Sequence, residues 1–219
     1  MVIEGALYPV GLVLRGRRCL VVGGGRVAAR KIASLLACGA AVTVVAPEVH
    51  EALADLVAAG AIDDIDGPPL DVQLRPYRRG EATHYRLVVT ATGDSEVDGA
   101  VYADAEEAGV WVNSADDPAR CSFVLPAVWR QGPVTVAVSS GATSPALASW
   151  LRTRLADALG PELATLAELL AEARRRVQAQ GRSTEDIDWK VLLDGPLLGL
   201  LRQGRLDEAR ALIEQVTES

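Results

Sequence analysis

Three consecutive glycines at residues 23–25 constrain the fold of this chain more than any other feature of its sequence. They directly follow the apolar run 19–22, which is typical of a strand buried in a parallel sheet. Residues 26–38 carry apolar side chains at helical spacing, Gly39 ends the predicted helix, and 41–46 form a second apolar run. The pattern therefore predicts a strand, a glycine turn, a helix and a second strand, which together form a dinucleotide-binding unit.

Each small residue of this turn has a predicted mechanical role. Gly23 permits the tight turn out of the strand, and Gly25 lets the backbone approach a pyrophosphate with no side chain in between. Ala28 stands where a third glycine is usual and keeps the helix close to the strand. The pyrophosphate would lie at the helix N-terminus, where unpaired amides and the helix dipole favour negative charge. We therefore predict a bound dinucleotide cofactor.

The adenosine end of the predicted cofactor site departs from the usual pattern. An acidic residue normally closes the second strand and binds the ribose, but Ala46 and Pro47 occupy that stretch here. Glu48 follows, and it either reaches the ribose or begins the next helix, where an acid suits the N-terminal dipole. The sequence leaves both interpretations open. Because no basic residue lies there to bind a 2′-phosphate, NAD is favoured over NADP.

Further alternating elements extend the predicted sheet. Residues 85–92 read as a buried strand that ends in small side chains, which leave room for a ligand in the crevice above the sheet. A helix is predicted to open at residues 94–97, with Asp94 or Ser95 as its cap, and 110–113 form the next strand. This order of elements predicts an α/β fold with a doubly wound parallel sheet of the Rossmann type.

Charge and composition narrow the classes of partner. The 219 residues suffice for a dinucleotide-binding unit and a smaller second part. A formal net charge of −7 argues against general nucleic-acid binding, which needs a basic face. No run approaches the roughly 18 apolar residues of a membrane span, and the N-terminus lacks a secretory-signal pattern. The 3 widely spaced cysteines predict neither a disulfide framework nor a metal site, so we expect a cytoplasmic protein with no membrane partner.

The strongest candidate for chemistry lies in residues 113–118, Asn-Ser-Ala-Asp-Asp-Pro. This segment follows a predicted strand at the carboxyl edge of the sheet, where active sites of α/β proteins collect. A carboxylate at Asp116 or Asp117 can take up a proton there. The alternative is a plain turn, since Asp-Asp-Pro is also good turn chemistry. Common hydrolytic and metal-binding motifs are absent from the sequence, and it holds no His or Cys cluster near Asp116.

The chain changes character after this segment. Residues 121–127 and a run from Val134 are β-type stretches separated by turn-like residues 130–133, and they pair either within the chain or across a dimer interface. Residues 139–144 form a hydroxyl-rich loop that either holds an anion or merely connects two elements. Ser144 and Pro145 then make a typical helix start, and the remainder is predicted to be helical.

Taken together, these motifs resemble a known family. They occur in the order Gly-Gly-Gly-x-Val-Ala-x-x-Lys at 23–31, Thr-Ala-Thr at 90–92, the segment 113–118, Ser122-Phe123 with Pro126, and Val-Ala-Val-Ser-Ser-Gly at 136–141 with Thr143-Ser144-Pro145. This set resembles the precorrin-2 dehydrogenase/sirohydrochlorin ferrochelatase part of siroheme synthases. The resemblance covers roughly residues 7–160, and the helical tail matches more loosely.

The resemblance implies NAD-dependent oxidation of the tetrapyrrole precorrin-2 to sirohydrochlorin. In many members Fe(II) insertion into the product follows at the same site, and the sequence leaves open whether this chain performs that step. A homodimer is also implied. The expected division is an NAD-binding Rossmann domain at 1–113, a dimerisation region at 114–145 and a helical domain at 146–219. No length of this chain remains for the methyltransferase domain that is fused to some members.

The resemblance also assigns residues. The key aspartate of the family, proposed to handle protons, falls on Asp116. The family's NAD contacts fall on Gly23, Gly25, Arg26, Val27, Pro47, Glu48, Thr90, Ala91 and Thr92. We expect substrate contacts from Asn113, Ser140, Thr143 and Ser144, and no resident metal. The candidates for binding the substrate's carboxylates are Arg120, Arg130, Arg152 and Arg154.

One competing hypothesis comes from a different functional class. A Rossmann module that senses NAD(H) without turnover would also carry the glycine turn at residues 23–25. That hypothesis leaves the turn at Asp116 and the loop 139–144 without a role.

Overall fold

The computed structural model describes residues 6–58 and 70–218, which divide into two compact units. The first comprises the described part of Met1–Leu125 together with Gly141–Thr143, and the second comprises Pro126–Ser140 with Ser144–Ser219, likewise in its described part. The predicted three-part division, with a separate dimerisation region at 114–145, stays a prediction.

The first unit is built on a five-stranded parallel sheet with the order β3-β2-β1-β4-β5. Its strands are β1 Arg18–Val22, β2 Ala41–Ala46, β3 Asp71–Leu74, β4 Leu87–Thr90 and β5 Trp111–Ser114. Its helices are α1 Arg26–Leu36, α2 Glu51–Ala58 and α3 Ser95–Glu107, with short 3-10 helices at Glu81–His84 and Pro118–Arg120. The strand order reverses beside β1, as in doubly wound sheets, so the predicted Rossmann-type α/β fold is confirmed.

Hydrophobic side chains cover both faces of this sheet. On one face, Val21 and Val89 are buried together with Ile32 of α1. On the other face, Val22 and Val88 pack in a second cluster that includes residues of α3. A central strand between two apolar layers must be apolar on both sides, which explains the continuous runs seen in the sequence. In the central strands β1 and β4, the polar side chains Arg18 and Thr90 therefore stand at the strand ends.

The helix caps of the first unit follow from local sequence. Asp94 is the N-cap of α3, and its carboxylate accepts hydrogen bonds from Glu96 N at 2.9 Å and Val97 N at 3.3 Å. His50 performs the same task for α2, because its Nδ1 accepts from Ala52 N at 3.1 Å. His50 is therefore a capping residue of α2.

The second unit begins with a β-hairpin of β6 Ala127–Gln131 and β7 Val134–Val138, which pair antiparallel within the chain. The expectation of a strand over 121–127 was wrong, because β6 starts where that stretch ends. Gly132 and Pro133 form a two-residue connection, so the first strand must run on to Gln131 for its residues to pair with β7. Ser122 instead pairs with the sheet edge, since its N donates to Val112 O at 2.8 Å.

Helices form the remainder of the second unit: α4 Pro145–Ala158, α5 Glu162–Ala179, α6 Trp189–Leu193, α7 Leu197–Arg202 and α8 Leu206–Glu218. One face of α5 is apolar and buried, with Leu166, Leu169, Ala173 and Val177 at helical spacing. It packs in one cluster with Leu197 and Ile213. In the part of the chain that the structure describes, no helix is long and apolar enough to cross a membrane.

Candidate functional site

The glycine turn after β1 is fixed by close backbone packing. Gly23 has φ of 122°, a conformation that residues with a side chain rarely adopt. A Cβ at Gly23 would overlap the carbonyl group of Ala91, lying 2.7 Å from its carbon. Gly23 N also donates to Val45 O at 2.9 Å. The turn is therefore clamped between the ends of β2 and β4, and only glycine fits at its first position.

The middle glycine has a role that the sequence reasoning missed. A Cβ at Gly24 would overlap the carbonyl oxygen of Glu48 and lie 3.0 Å from Val49 Cα. The Gly24 carbonyl accepts a hydrogen bond from His50 N at 2.8 Å. Gly24 thus lets the segment after β2 lie directly against the glycine turn.

The third glycine opens onto free space. A Cβ at Gly25 would meet no heavy atom within 4 Å, and Gly25 is the N-cap of α1 with no side-chain cap hydrogen bond. The first turn of α1 holds no acidic residue, so nothing of its own opposes an anion there. Arg26 is exposed and Val27 half-buried at the first two helical positions. This end of α1 fits a pyrophosphate, as expected for a dinucleotide cofactor.

The structure rules out one of the two interpretations of Glu48. Helix α2 begins at Glu51, and Glu48 lies in a bend before it. The interpretation of Glu48 as a helix-starting acid was therefore wrong. Pro47 and Glu48 are both exposed, directly after β2 and against the glycine turn. A ribose contact from Glu48 stays a prediction.

The segment Thr90-Ala91-Thr92 at the end of β4 is anchored by a carboxylate that the sequence reasoning did not single out. Asp98 of α3 accepts hydrogen bonds from the Thr90 hydroxyl, from Thr92 Oγ1 at 2.6 Å and from Thr92 N at 3.4 Å. The signal was present in the sequence, because Asp98 lies one helical turn after the cap Asp94. An aspartate at that position of a first turn reads as ordinary dipole compensation.

The turn after β5 separates the two aspartates by role. Asp117 Oδ1 accepts from Ala119 N at 2.9 Å, and its Oδ2 lies 3.4 Å from Arg120 Nε, so Asp117 caps the short 3-10 helix. Arg120 in turn donates to Ser95 O at 2.6 Å. Asp116 is exposed, and no hydrogen bond or ion pair of its side chain occurs within residues 6–58 and 70–218. Its carboxylate is therefore free to meet a ligand.

Hydrogen bonds of buried and half-buried polar groups hold this turn against the end of β5. Cys121 Sγ donates to Ser114 O at 3.3 Å and accepts from Asn113 Nδ2 at 3.4 Å. Burial raises the pKa of the Cys121 thiol, which keeps it protonated as a donor. Asn113 is buried, and its Nδ2 also donates to Phe123 O at 3.0 Å. Ser114 Oγ is buried as well, with no hydrogen-bond partner among the described residues.

The loop between β7 and α4 forms its own small network. Ser140 Oγ donates to Ser144 O at 2.9 Å and accepts from Ser144 N at 3.0 Å. Ser144 Oγ accepts from Leu147 N at 3.2 Å, so the expected N-cap of α4 is confirmed. Ala142 has φ of 63°, which is uncommon for a residue with a side chain. Thr143 is exposed in the same loop.

The predicted site residues fall into these groups. All the expected cofactor contacts belong to the first unit, as do Asn113, Asp116 and Thr143, whereas Ser140 and Ser144 belong to the second. Among the candidate arginines, Arg130 and Arg154 are exposed and Arg152 is half-buried. Over residues 6–58 and 70–218, the structure contains no group of three or more His, Cys, Asp or Glu side chains that could hold a metal ion.

Known proteins are similar to this chain in sequence and in fold. Residues 10–127 match a family model described as "Putative NAD(P)-binding". The chain is 38% identical to a siroheme synthase of Methylococcus capsulatus over 210 residues, which are 94% of this chain and 42% of the relative. It is also 38% identical to a siroheme synthase of Nitrosococcus oceani over 212 residues, covering 96% of this chain and 44% of that protein. The chain thus spans less than half the length of these relatives.

A solved structure agrees with the sequence comparisons. The fold superposes on "SirC, precorrin-2 dehydrogenase" with a TM-score of 0.72 and 26% identity, covering 97% of this chain and 100% of that one. The family resemblance drawn from the motifs is therefore confirmed, as is NAD as the cofactor of this kind of domain.

Proposed function

Because the chain belongs to the NAD(P)-binding family that its residues 10–127 match, we propose that it is an enzyme that oxidises precorrin-2 to sirohydrochlorin with NAD. Its similarity to siroheme synthases and to a precorrin-2 dehydrogenase structure supports this substrate. The product serves siroheme synthesis.

One structural observation carries the proposal. The N-terminus of α1 is open at Gly25, where an added Cβ would meet no other heavy atom within 4 Å. In the same unit, Asp116 is exposed shortly after β5. Both features lie at carboxyl ends of parallel strands, where ligands of doubly wound sheets bind. The helix end can bind the pyrophosphate of the cofactor, and the free carboxylate can accept a proton. A cofactor-dependent dehydrogenation needs both.

The reaction removes two electrons and two protons from the tetrapyrrole. NAD, when bound at the glycine turn, would supply the acceptor for one of the two hydrogens as a hydride. Asp116 accepts the second hydrogen as a proton at its carboxylate and passes it to water. The backbone of residues 23–25 and the amides of α1 would hold the pyrophosphate of NAD, and residues 90–92 would border the cofactor. Asn113, Ser140, Thr143 and Ser144 are proposed to contact the substrate, with Arg130, Arg152 and Arg154 as candidates for its carboxylates.

The decisive experiment follows NADH formation when the protein is mixed with precorrin-2 and NAD. We expect NADH and sirohydrochlorin in equal amounts. Asp116→Asn should lower kcat by a factor of about 100, the lower range for general acid–base catalysis, with the NADH dissociation constant unchanged. Asp117→Asn is the matched control, because the neighbouring carboxylate caps the 3-10 helix and should affect stability more than turnover. Equal kcat for Asp116→Asn and the wild type would refute the role of Asp116.

The same assay tests the competing hypothesis of an NAD(H)-sensing module. A sensor binds NADH but forms none from authentic precorrin-2. Absence of turnover together with tight NADH binding would therefore replace the enzyme proposal with the sensor.

Fe(II) insertion is a separate part of the proposal. Inserting Fe(II) into sirohydrochlorin releases two protons from pyrrole nitrogens, and the exposed Asp116 carboxylate would accept them in turn. The assay follows the absorbance of sirohydrochlorin after adding Fe(II) or Co(II). Metal insertion no faster than the protein-free rate would confine the chain to dehydrogenation.

A homodimer is also part of the proposal, and an apolar face on α4, which begins at the end of the expected dimerisation region at 114–145, supports it. Leu147, Trp150, Leu151 and Leu155 are exposed by 48%, 58%, 36% and 41%. They recur at helical spacing and form a stripe of the kind that partner chains cover. We expect Trp150→Lys to shift the mass measured by light scattering towards the monomer. Ser149→Lys, on the other side of the helix, should leave the dimer intact, and a monomeric wild type would contradict this part.

The proposed location is the cytoplasm. Cys19, Cys38 and Cys121 are all free thiols, which suits a reducing compartment.

A further inference from the structure

Asp98 carries a buried carboxylate whose contacts all lie in one segment. The residue is only 6% exposed, in the first turns of α3. Over the described ranges 6–58 and 70–218, its side chain accepts hydrogen bonds from Thr90 Oγ1, Thr92 Oγ1 and Thr92 N. A buried carboxylate is costly unless several donors compensate it, so these bonds hold the segment firmly.

That segment lies directly on the glycine turn. The carbonyl of Ala91 occupies the place that a side chain of Gly23 would take, and Ala91 N donates to Val22 O at 2.8 Å. Ala91 is thereby fixed from one side by β1 and the glycine turn. Its neighbours Thr90 and Thr92 are fixed from the other side by the carboxylate on α3. The position of residues 90–92 at the end of β4 therefore depends on both sets of contacts.

We propose that Asp98 is a positioning residue for the dinucleotide: through Thr90 and Thr92 it holds residues 90–92 in the position in which they would border the bound NAD. Asp98 does not touch the cofactor in this proposal. It rests on the proposed function, since residues 90–92 must border NAD for their position to matter. Loss of the carboxylate should weaken cofactor binding and leave the chemical step unchanged at saturating NAD.

The same helix supplies a matched control. Asp104 is also 6% exposed, and its carboxylate accepts from Tyr77 Oη at 2.8 Å and from Gly80 N at 2.6 Å. It also lies 3.2 Å from Arg79 Nη2. Asp104 thus has similar burial and as many partners, but these lie in the segment 77–80, outside the predicted cofactor contacts. A purely structural role would make the two aspartates respond alike.

The experiment measures the NADH dissociation constant by fluorescence, together with KM for NAD and kcat. We expect Asp98→Ala to raise both the dissociation constant and KM about 10-fold, with kcat within about 2-fold of wild type. Asp98→Asn keeps an oxygen acceptor for the same donors and should restore most of the affinity. Asp104→Ala should lower Tm as much as Asp98→Ala and leave the NADH dissociation constant unchanged.

Two outcomes overturn the inference. One is an Asp98→Ala protein that binds NADH as tightly as wild type, and the other is an equal loss of affinity in Asp104→Ala. If Asp98→Ala does not fold, Thr90→Val removes one donor to the same carboxylate at a side chain that is fully buried, and it should raise the dissociation constant about 3-fold; an unchanged value would refute the inference. A wild-type protein that binds no NADH would overturn the proposed function as well, which separates the two failures.

Discussion

Replacing Gly25 by alanine tests cofactor binding separately from the stability of the fold. Gly25 has φ of −79°, which alanine adopts without strain, and the added Cβ would meet no protein atom within 4 Å. Alanine is a poorer N-cap than glycine by up to about 1 kcal/mol, while the loss of backbone freedom in the unfolded chain returns about 0.4–1 kcal/mol. The free energy of unfolding should therefore stay within about 0.5 kcal/mol of wild type.

Cofactor binding should respond quite differently. The methyl group of Gly25→Ala would stand in the open space at the N-terminus of α1, where the pyrophosphate is expected. Displacing the phosphates weakens charge-assisted hydrogen bonds worth roughly 1.5–3 kcal/mol each. Loss of about one such bond corresponds to a 10- to 100-fold higher NADH dissociation constant.

Gly23→Ala provides the contrast. Its φ of 122° strains any side chain by about 1–3 kcal/mol, and the overlap with Ala91 adds overpacking of about 1–3 kcal/mol. At about 2–4 °C per kcal/mol for a chain of this size, Tm should fall by roughly 4–24 °C. Both variants are examined by thermal unfolding without ligand and by NADH fluorescence titration. A Gly25→Ala protein with wild-type NADH affinity would refute the placement of the pyrophosphate.

Three further outcomes are expected from buried and partly buried groups. Burial, with a smaller contribution from Cys38, raises the pKa of Cys19 from 9.0 to about 11, so the folded protein holds this proton longer than the unfolded chain. Denaturant unfolding should then show roughly 2–3 kcal/mol of stability lost as pH rises from 9 to 11, and Cys19→Ala should abolish that slope. Burial, aided by Arg30, lowers the pKa of Lys31. Its charge therefore destabilises the folded state below that pKa, and this destabilisation disappears as pH rises towards 10.5. Lys31→Met should raise Tm at pH 7, and an unchanged Tm would contradict this. Leu197→Ala, at a fully buried position of the second unit, should cost about 2–5 kcal/mol in unfolding experiments, yet leave the NADH dissociation constant unchanged if the first unit alone binds the cofactor.

Much of the fold was accessible from local patterns. Strand β2 matches its apolar run at 41–46, and Asp94 and Ser144 cap the helices that their side chains predict. These features depend on interactions within a few residues of each other, which the sequence displays directly. The prediction of a strand over 121–127 was wrong, because pairing with residues outside that stretch decides its structure. Its apolar character was real, but Ser122 pairs with the sheet edge and β6 is set by its hairpin.

The roles of the two neighbouring aspartates show the same limit. Asp116 and Asp117 are chemically identical, and either can be read as a turn residue or an acid. The structure gives Asp117 a cap and an arginine partner and leaves Asp116 exposed. The choice depends on how the chain leaves β5, and hydrogen-bond geometry of that kind is not encoded in residue type.

The sequence by itself determined that a glycine turn joins a buried strand to a helix, and with it the doubly wound fold and the dinucleotide. It did so because tight backbone turns and apolar strands leave a local signature. Only the tertiary structure decided what surrounds that turn: Glu48 and Ala91 packed on Gly24 and Gly23, and Asp98 beneath Thr90 and Thr92. Glu48 and Ala91 are far along the chain from the glycines that they contact, and folding the sheet brings them together. Asp98 is close to Thr90 and Thr92 in sequence, but it meets them only because the turn after β4 leads directly into α3.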